Sequence, residues 1–303
     1  MARIFQRDFV YALLGVIMKL KLTIALLWLL HLLPFRVMQW IAIPLGSLLF
    51  FVVSGRRKVG LTNLRLCFPE WTENQRRSVL RQHFIQMTST LLGYSILLHG
   101  SKNRLRRLIH IEGFENFTAV QDRPIIMLVP HFLGLDFGGM GFIMDHQGSS
   151  MYAEQRGVFH EISLKIRSRY NNPQLIKRSA GIRSIVRTLK SKLPFYYLPD
   201  QDMGPQQSIF APFFGIPTAT LPMLGKLAEM TDAAVVPVIT TIAKGHVVSR
   251  YYPAWENFPS GDMLADTTRM NQFIEDIARE HPSQYYWLHR RFKTRPEGEA
   301  SFY

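Results

Sequence analysis

A histidine and an aspartate five positions apart follow a short apolar run in the first half of the chain. The run is PIIMLVP at residues 124–130, and the next residues read HFLGLD, from His131 to Asp136. An imidazole that is held by a carboxylate can act as a general base, because the carboxylate orients the ring and stabilises the imidazolium that forms. The pair makes His131 the candidate base and Asp136 the candidate carboxylate that orients it.

The spacing of this pair decides which local structure it needs. On a straight α-helix, a five-residue offset places two side chains about 140° apart, so they would not meet. A turn from a strand into a helix, with Gly134 inside it, could bring them together. The glycines of FGGMG, at residues 137–141, would then let the new helix pack closely on a sheet.

The surrounding sequence alternates between short apolar runs and amphipathic stretches, which is typical of an α/β sheet covered by helices. In such folds ligands bind near the carboxyl ends of the strands, and His131 lies at such an end. The predicted strands are residues 124–130, 151–156, 193–200, 233–241 and 246–253. The predicted helices are residues 72–100, 158–170, 181–192, 222–231 and 265–280.

The amino-terminal region is more apolar than the rest of the chain. Across residues 22–53 the only ionisable side chains are His31 and Arg36, and basic residues flank the run on both sides. A helix needs about 20 apolar residues to span a bilayer, and Pro34 and Pro44 divide the run into shorter pieces. Because positive charge favours the cytoplasmic side, a shallow hairpin in the membrane fits better than one clean span.

Composition agrees with a position at a membrane surface. The chain has 36 basic and 22 acidic residues, a net charge of +14, and 47% apolar residues. This excludes a disordered chain, which would be poor in apolar residues. Charge would attract such a chain to an anionic lipid surface, and apolar contact would hold it there. We expect a membrane anchor over residues 1–58 and a catalytic domain over residues 59–303; the alternative for the first segment is a buried core hairpin of a soluble protein.

Several common enzyme signatures are missing from the sequence. It has no GxSxG, GxxxxGK[ST] or HExxH and no properly placed GxGxxG, so acyl-enzyme hydrolysis, nucleotide hydrolysis, zinc proteolysis and nicotinamide chemistry lose their usual support. The single cysteine, Cys67, excludes an intramolecular disulfide and any multi-cysteine metal site. We expect neither a metal nor a cofactor, and a reducing, cytoplasm-facing location.

The HFLGLD segment resembles the HxxxxD motif of the glycerolipid acyltransferases. More closely, the chain resembles the lipid A secondary acyltransferases of Gram-negative bacteria, of lauroyl or myristoyl type. This likeness runs from the apolar region almost to the carboxyl terminus. It is carried by NLRLCFPE (63–70), IKRSAGIRSIVRTLK (176–190), YYLPDQDMG (196–204), FAPFFGIPTAT (210–220) and QYYWLHRRFKTRP (284–296).

The resemblance implies a membrane enzyme with a mixed sheet flanked by helices. It would move a fatty acyl chain from acyl carrier protein to a hydroxyl of a lipid A precursor of the Kdo2-lipid IVA type. His131 would deprotonate that hydroxyl, Asp136 would orient His131, and no acyl-enzyme would form. The oxyanion would need donors, either backbone N–H groups near Gly134 or an arginine. The enzyme would contact the lipids of the bacterial inner membrane, with its site facing the cytoplasm.

Further residues become candidates for substrate binding. Arg156, which ends a predicted strand, resembles an arginine of the family and would bind the oxyanion or a phosphate, although AEQRGV departs from the tyrosine-arginine-proline pattern of that motif. Arg178 shortly precedes a glycine at a predicted helix start, which suits a phosphate. Asp200 ends a buried strand and would hydrogen-bond arginines or support the loop that follows. A segment of this chain that contains Phe214, Gly215 and Thr218 resembles the loop of the family that binds the acceptor or the acyl chain.

Each assignment has a plainer alternative. The two arginines could lie on the surface, and the phenylalanines could be ordinary core residues. The DQD sequence at 200–202 could bind a cation, but no further carboxylates cluster near it. For the whole protein, the alternatives are an acyltransferase for another lipid hydroxyl, of a glycerolipid or an aminolipid, and a catalytically silent membrane scaffold. Nucleic acid is not expected as a partner, because an apolar anchor is present and nucleic-acid motifs are not.

Overall fold

The structure is a computed structural model that describes residue 18, residues 20–154 and residues 157–303. The predicted oxyanion arginine, Arg156, lies outside these residues, as does the end of the predicted strand 151–156.

In the described residues, nine strands form the sheets. They are β1 (Ile109–Glu112), β2 (Ile125–Leu128), β3 (Ser149–Tyr152), β4 (Gln174–Lys177), β5 (Phe195–Tyr197), β6 (Ile209–Phe213), β7 (Ile216–Thr220), β8 (Ala234–Ile242) and β9 (Val247–Tyr251). Seven of them build one sheet in the order β1-β9-β8-β2-β5-β3-β4, and β6 and β7 form a separate antiparallel hairpin. In the large sheet β8 and β9 are antiparallel, while the other neighbouring pairs are parallel, so the predicted mixed sheet is confirmed.

Helices flank the sheet on both faces. They are α1 (Leu20–Leu30), α2 (Phe35–Val52), α3 (Ser54–Cys67), α4 (Glu73–His99), α5 (Lys102–Leu108), α6 (Glu115–Thr118), α7 (Leu135–Ile143), α8 (Val158–Arg167), α9 (Gly181–Lys190), α10 (Met223–Thr231) and α11 (Met263–Glu280).

The central strand β2 shows how the two layers arise. All four of its side chains are buried, because helices cover both faces of the sheet. Ile126 and Leu128 belong to one hydrophobic core, together with α9, α10 and α11. Ile125 and Met127 belong to the other core, together with α7 and α8. This alternation follows from the two-residue period of a strand.

The two edge strands were not predicted from the sequence. In β1, which reads IHIE, and in β4, which reads QLIK, only one side chain of four is buried. Edge strands with this exposure lack the continuous apolar run by which the inner strands were recognised. The helix predicted over residues 72–100 is confirmed, and a capping box at Thr72 begins it.

The apolar amino-terminal region folds as two helices. α1 and α2 are separated at Pro34, as predicted, but α2 continues through Pro44. By length and composition, α2 is the one described helix that could cross a membrane. One side of α2 packs closely on α4, since a Cβ on Gly46 would lie 2.5 Å from the Cα of Ile85.

The other side of α2, with the outer side of α1, forms an exposed apolar face. It consists of Leu22, Leu26, Trp28, Leu29, Leu32, Trp40, Ile41, Ile43, Leu45, Leu48, Phe51 and Val52. An apolar surface of this extent marks an interaction site, because water solvates it poorly.

Candidate active site

His131 lies in the turn between β2 and α7, at the carboxyl end of the strand, as predicted. The register of the sheet gives it a partner. β2 and β5 run parallel with Leu128 opposite Tyr197, and His131 and Asp200 each lie three residues further on. Asp200 Oδ1 accepts a hydrogen bond from His131 Nδ1 at 2.6 Å, and Oδ2 accepts one from the backbone N–H of His131 at 2.9 Å.

The surroundings of Asp200 favour the carboxylate. Its side chain is only 1% exposed, and this burial by itself raises the pKa of the carboxyl. The charge of His131, its two hydrogen bonds and the charge of Arg291 outweigh burial and hold the pKa below its ordinary value. A carboxylate only accepts hydrogen bonds, so Nδ1 of His131 carries a proton and Nε2 of the neutral ring is free to accept one.

His131 lines a cleft, where its second ring nitrogen meets Gln201. Nε2 lies 3.1 Å from the amide nitrogen of Gln201, which donates to it. His131, Gln201 and Arg178 are among the residues that line a cavity of about 590 Å³. This volume is in the range of small-molecule and cofactor sites. The arrangement supplies a base, held by a buried carboxylate, at the wall of a cleft that could hold a substrate.

Asp136 lies in the first turn of α7 and has other partners. Its Oδ2 accepts a hydrogen bond from the hydroxyl of Tyr94, and its Oδ1 pairs with the guanidinium of Arg167 at 3.0 Å. The expectation that Asp136 orients His131 is therefore wrong in this structure. The helix begins at Leu135, directly after the turn, and the five-residue offset directs the aspartate to α4 and α8 instead.

The group around Asp136 borders the cleft. The charge of Asp136 raises the pKa of Arg167, and burial, followed by Asp136, raises that of Tyr94. Asp136 lines a small apolar cavity of about 50 Å³ beside the cleft. Arg167 and Tyr196 line both cavities, so they form the wall between them.

The turn around Gly134 serves packing. A Cβ on Gly134 would lie 2.6 Å from the carbonyl oxygen of Thr240 in β8, so only glycine allows this approach. The neighbouring N–H groups are occupied, because Leu133 donates to Gln284 and Leu135 donates to Phe132. Both kinds of oxyanion donor expected from the sequence, a backbone N–H near Gly134 and an arginine, stay predictions.

Arg178 occupies a single 3-10 turn before α9, and its exposed side chain lines the cleft. Arg178 is therefore solvent-facing, as a surface arginine would be, and it also lines the cleft, as a substrate-binding arginine would. Its role in substrate binding stays a prediction.

Phe214 and Gly215 form the turn between β6 and β7, each with positive φ. The N–H of Phe214 donates to Glu275 in α11 at 2.6 Å, and the buried hydroxyl of Thr218 donates to the carbonyl of Ile216. Among the residues described, these three line neither of the two cavities. The bond from Phe214 joins the hairpin to α11, and the role of the three residues in binding the acceptor or the acyl chain stays a prediction.

Asp202 fixes the loop that carries Asp200. It accepts hydrogen bonds from the N–H and the hydroxyl of Thr294, and its own N–H donates to Nε2 of His289 at 2.9 Å. Burial, followed by the charge of Arg291, lowers the pKa of His289 to about 4, so this ring stays a neutral acceptor. The carboxy-terminal segment therefore holds the Asp200 loop in place.

Three residues of the site were missed in the sequence: Tyr94, Arg167 and Gln201. Gln201 stands between the two aspartates of DQD, and this position was the one signal for it. Tyr94 and Arg167 lie in amphipathic helices, where no sequence pattern separates them from ordinary surface or core residues.

Comparison with known proteins bears on the chemistry of this cleft. The model of the family described as bacterial lipid A biosynthesis acyltransferase matches residues 9–294. The chain is 32% identical to the lipid A biosynthesis lauroyltransferase of Escherichia coli (strain K12), over 93% of this chain and 94% of that protein. It is 29% identical to the palmitoleoyltransferase of the same pathway and organism, over 92% of each chain. Identity to the corresponding myristoyltransferase is 30%, over 82% of this chain and 79% of that protein.

These matches span nearly the whole chain and agree with the resemblance seen in the motifs. The protein belongs to the bacterial lipid A biosynthesis acyltransferase family and, like the relatives named here, is an O-acyltransferase.

Proposed function

We propose that this protein transfers a fatty acyl chain from the thioester of acyl carrier protein to a hydroxyl of a lipid A precursor of the Kdo2-lipid IVA type. The observation that carries the mechanism is the pairing of His131 with Asp200 at the wall of the cleft. Family membership supports the reaction class, and the names of the relatives support lipid A as the end product.

The base in this mechanism is Nε2 of His131. The acceptor hydroxyl displaces the amide of Gln201 from Nε2 and gives its proton to that nitrogen. Asp200, which holds Nδ1–H at 2.6 Å, stabilises the imidazolium that results.

The acyl chain moves in one addition and one elimination. The acceptor oxygen attacks the thioester carbonyl, forming a carbon–oxygen bond and a tetrahedral oxyanion. The oxyanion collapses, the carbon–sulfur bond breaks, and the thiolate leaves with its electron pair. His131 returns its proton to the thiolate, so the products are an ester and a thiol, and no acyl-enzyme forms.

Cations near the cleft would stabilise the charges of this reaction. Arg167 and Arg178 line the cavity, and Arg156 is retained as a candidate from the sequence. A positive charge near the tetrahedral oxyanion lowers the barrier most when water is excluded. The same cations suit the phosphates of a lipid A precursor.

We also propose that the apolar face of α1 and α2 inserts into the cytoplasmic side of the inner membrane. α2 packs along α4, so it would have to leave the protein in order to span the bilayer by itself. The guanidinium of Arg104 in α5 donates to the carbonyls of His31 and Leu33 and so ties the connection between the two helices to the protein. A shallow hairpin is consistent with both contacts and with basic residues on either side of the apolar run.

The test is acyl transfer by the purified full-length protein in lipid vesicles. Acyl carrier protein loaded with chains of different length would be offered with Kdo2-lipid IVA or with a glycerolipid, and the products would be weighed by mass spectrometry. We expect one acyl chain to be added to Kdo2-lipid IVA. His131→Ala should slow this by about 10²- to 10⁴-fold with no loss of vesicle binding. His110→Ala, at an exposed histidine on the edge strand β1, is the matched control and should retain activity.

Three results would contradict the proposal in different ways. Turnover by His131→Ala at the rate of the unmodified protein would remove the assigned base. Transfer to the glycerolipid alone would leave the chemistry in place and overturn the acceptor. An acyl chain found covalently on the protein during turnover would overturn direct transfer.

A further inference from the structure

The outer face of α9 carries a row of three basic side chains: Arg183, Arg187 and Lys190. All three are exposed, while Ile185 and Leu189 of the same helix are buried in the core. Their spacing of four and three residues places them on one face of the helix, over about 10 Å. We call this row the α9 basic stripe.

Within the residues that the structure describes, the three cations of the stripe have no polar partner. In the described part of the chain, none of the three residues forms a hydrogen bond or an ion pair. Other exposed cations do form pairs, as Lys177 does with Glu154 and Arg250 does with Glu112. Like charges at these spacings repel each other and weaken a helix.

The helix dipole accounts for only part of the stripe. A cation in the last turn of a helix is favourable, which covers Arg187 and Lys190. Arg183 stands in the first turn, where the dipole disfavours a positive charge, so its place in the row needs another cause.

The stripe begins at the rim of the cleft that holds His131. Gly181, Ile182 and Ile185 of α9 line that cleft, and Arg178 lines it just before the helix. A protein bound along the stripe would thus stand beside the cleft entrance. A thioester arm reaching from that protein could enter the cleft toward His131.

We propose that the α9 basic stripe is the docking surface for the acidic acyl carrier protein, an inference that rests on the proposed acyl donor. The partner is argued from charge: three unpaired cations on one exposed face match a row of carboxylates on an acidic helical protein. A membrane fits less well. α9, all of which is described, exposes no large apolar side chain, whereas a surface that inserts into lipid carries such residues, as α1 and α2 do.

The test reverses charge on the stripe and, as a matched control, elsewhere. Arg183→Glu with Arg187→Glu changes the net charge by the same amount as Arg106→Glu with Arg107→Glu in α5. α5 adjoins β1, at the opposite edge of the sheet from β4, and Asp145 keeps a second partner in Lys102 when Arg106 is changed. Each full-length protein would be assayed in vesicles with the acyl carrier protein donor and with a small acyl-pantetheine thioester. Binding of the carrier protein would also be measured directly.

We expect kcat/KM for the carrier-bound donor to fall by about tenfold or more in the α9 variant, with direct binding weakened to match. The control variant should change neither value by more than about twofold. Turnover of the pantetheine thioester, the KM for the lipid acceptor and vesicle binding should stay unchanged in both variants. In the unmodified protein, added salt should weaken carrier binding more steeply than in the α9 variant.

Other outcomes would overturn the docking surface. Unchanged carrier binding in the α9 variant would place the contact elsewhere. A loss of vesicle binding would make the stripe a membrane contact, and a raised KM for the lipid acceptor would make it part of the acceptor site. If the unmodified protein transfers no acyl chain from the carrier protein, the proposed donor itself fails, which is distinct from a failure of the stripe.

Discussion

Two aspartates lie near the turn that carries His131, Asp200 buried and Asp136 partly buried, and they have different partners. Asp200 follows β5 and accepts both N–H groups of His131. Asp136 opens α7 and binds the hydroxyl of Tyr94 and the guanidinium of Arg167. The aspartate nearer in sequence thus holds Arg167, which lines the cleft, and the distant one holds His131. Contact between these side chains is decided by strand register, and short sequence spacing is not sufficient for it.

The sharpest test of this contrast is Asp200→Asn. Both carboxylate oxygens accept N–H groups of His131, and an amide offers only one oxygen, so one donor would face another. If the amide nitrogen faces Nδ1, the ring takes the other tautomer and Nε2 loses its basic lone pair. We expect kcat to fall by about 10³- to 10⁴-fold, measured at saturating substrates. A decrease below tenfold would mean that Asp200 does not control the tautomer of His131.

Asp136→Asn tests the other half of the comparison. It leaves Arg167, with 27% of its side chain exposed, without its ion pair. We expect a loss of about 1–3 kcal/mol in the free energy of unfolding and a smaller decrease in kcat than for Asp200→Asn. The free energy of unfolding would come from denaturant unfolding, and kcat would be measured below the unfolding transition of either variant. If kcat fell as far as in Asp200→Asn with stability unchanged, Asp136 would act on His131 during turnover after all.

Tyr94→Phe removes one donor to Asp136 and keeps the ion pair with Arg167. Since the lost hydrogen bond is to a charged group, thermal or chemical unfolding should show a loss of about 1–2 kcal/mol. Activity should change by less than about threefold, because Tyr94 is not among the described residues that line the cleft. A large loss of kcat with unchanged KM would assign Tyr94 to the reaction.

A second histidine, His83, is buried and has a backbone carbonyl as its partner where His131 has a carboxylate. His83 is fully buried and its Nδ1 donates to the carbonyl of Ser283, while its Nε2 has no hydrogen-bond partner among the described residues. Burial lowers its pKa from 6.5 to about 4. Because the unfolded chain takes up the proton first, stability is full above pH 6.5 and falls as the pH is lowered toward 4. The shift corresponds to roughly 3 kcal/mol.

His83→Asn keeps a donor for Ser283 and removes the titrating ring. Unfolding measured between pH 4 and 6.5 should depend less steeply on pH in the variant, and the remaining slope should reflect His289, whose pKa is also about 4. Equal slopes for the two proteins would show that His83 takes up a proton without opposing the fold.

The sequence by itself determined the alternating α/β plan, the inner strands and the place of His131 at a strand end. These elements can be predicted without tertiary contacts, because β2 is a continuous apolar run and α9 is amphipathic. The motifs around His131 and near the carboxyl terminus also indicated the family, which the whole-chain match confirmed. The edge strands β1 and β4 were not predicted, because polar residues interrupt their apolar pattern.

Only the tertiary structure decided which groups meet. His131 and Asp200 are 69 residues apart, and they touch because Leu128 and Tyr197 pair in register, which no periodicity in the chain expresses. The continuation of α2 through Pro44 was decided in the same way: its inner side packs on α4, where Gly46 allows close approach. In each case the stabilising contact is made with a residue distant in sequence, so local sequence patterns do not predict it.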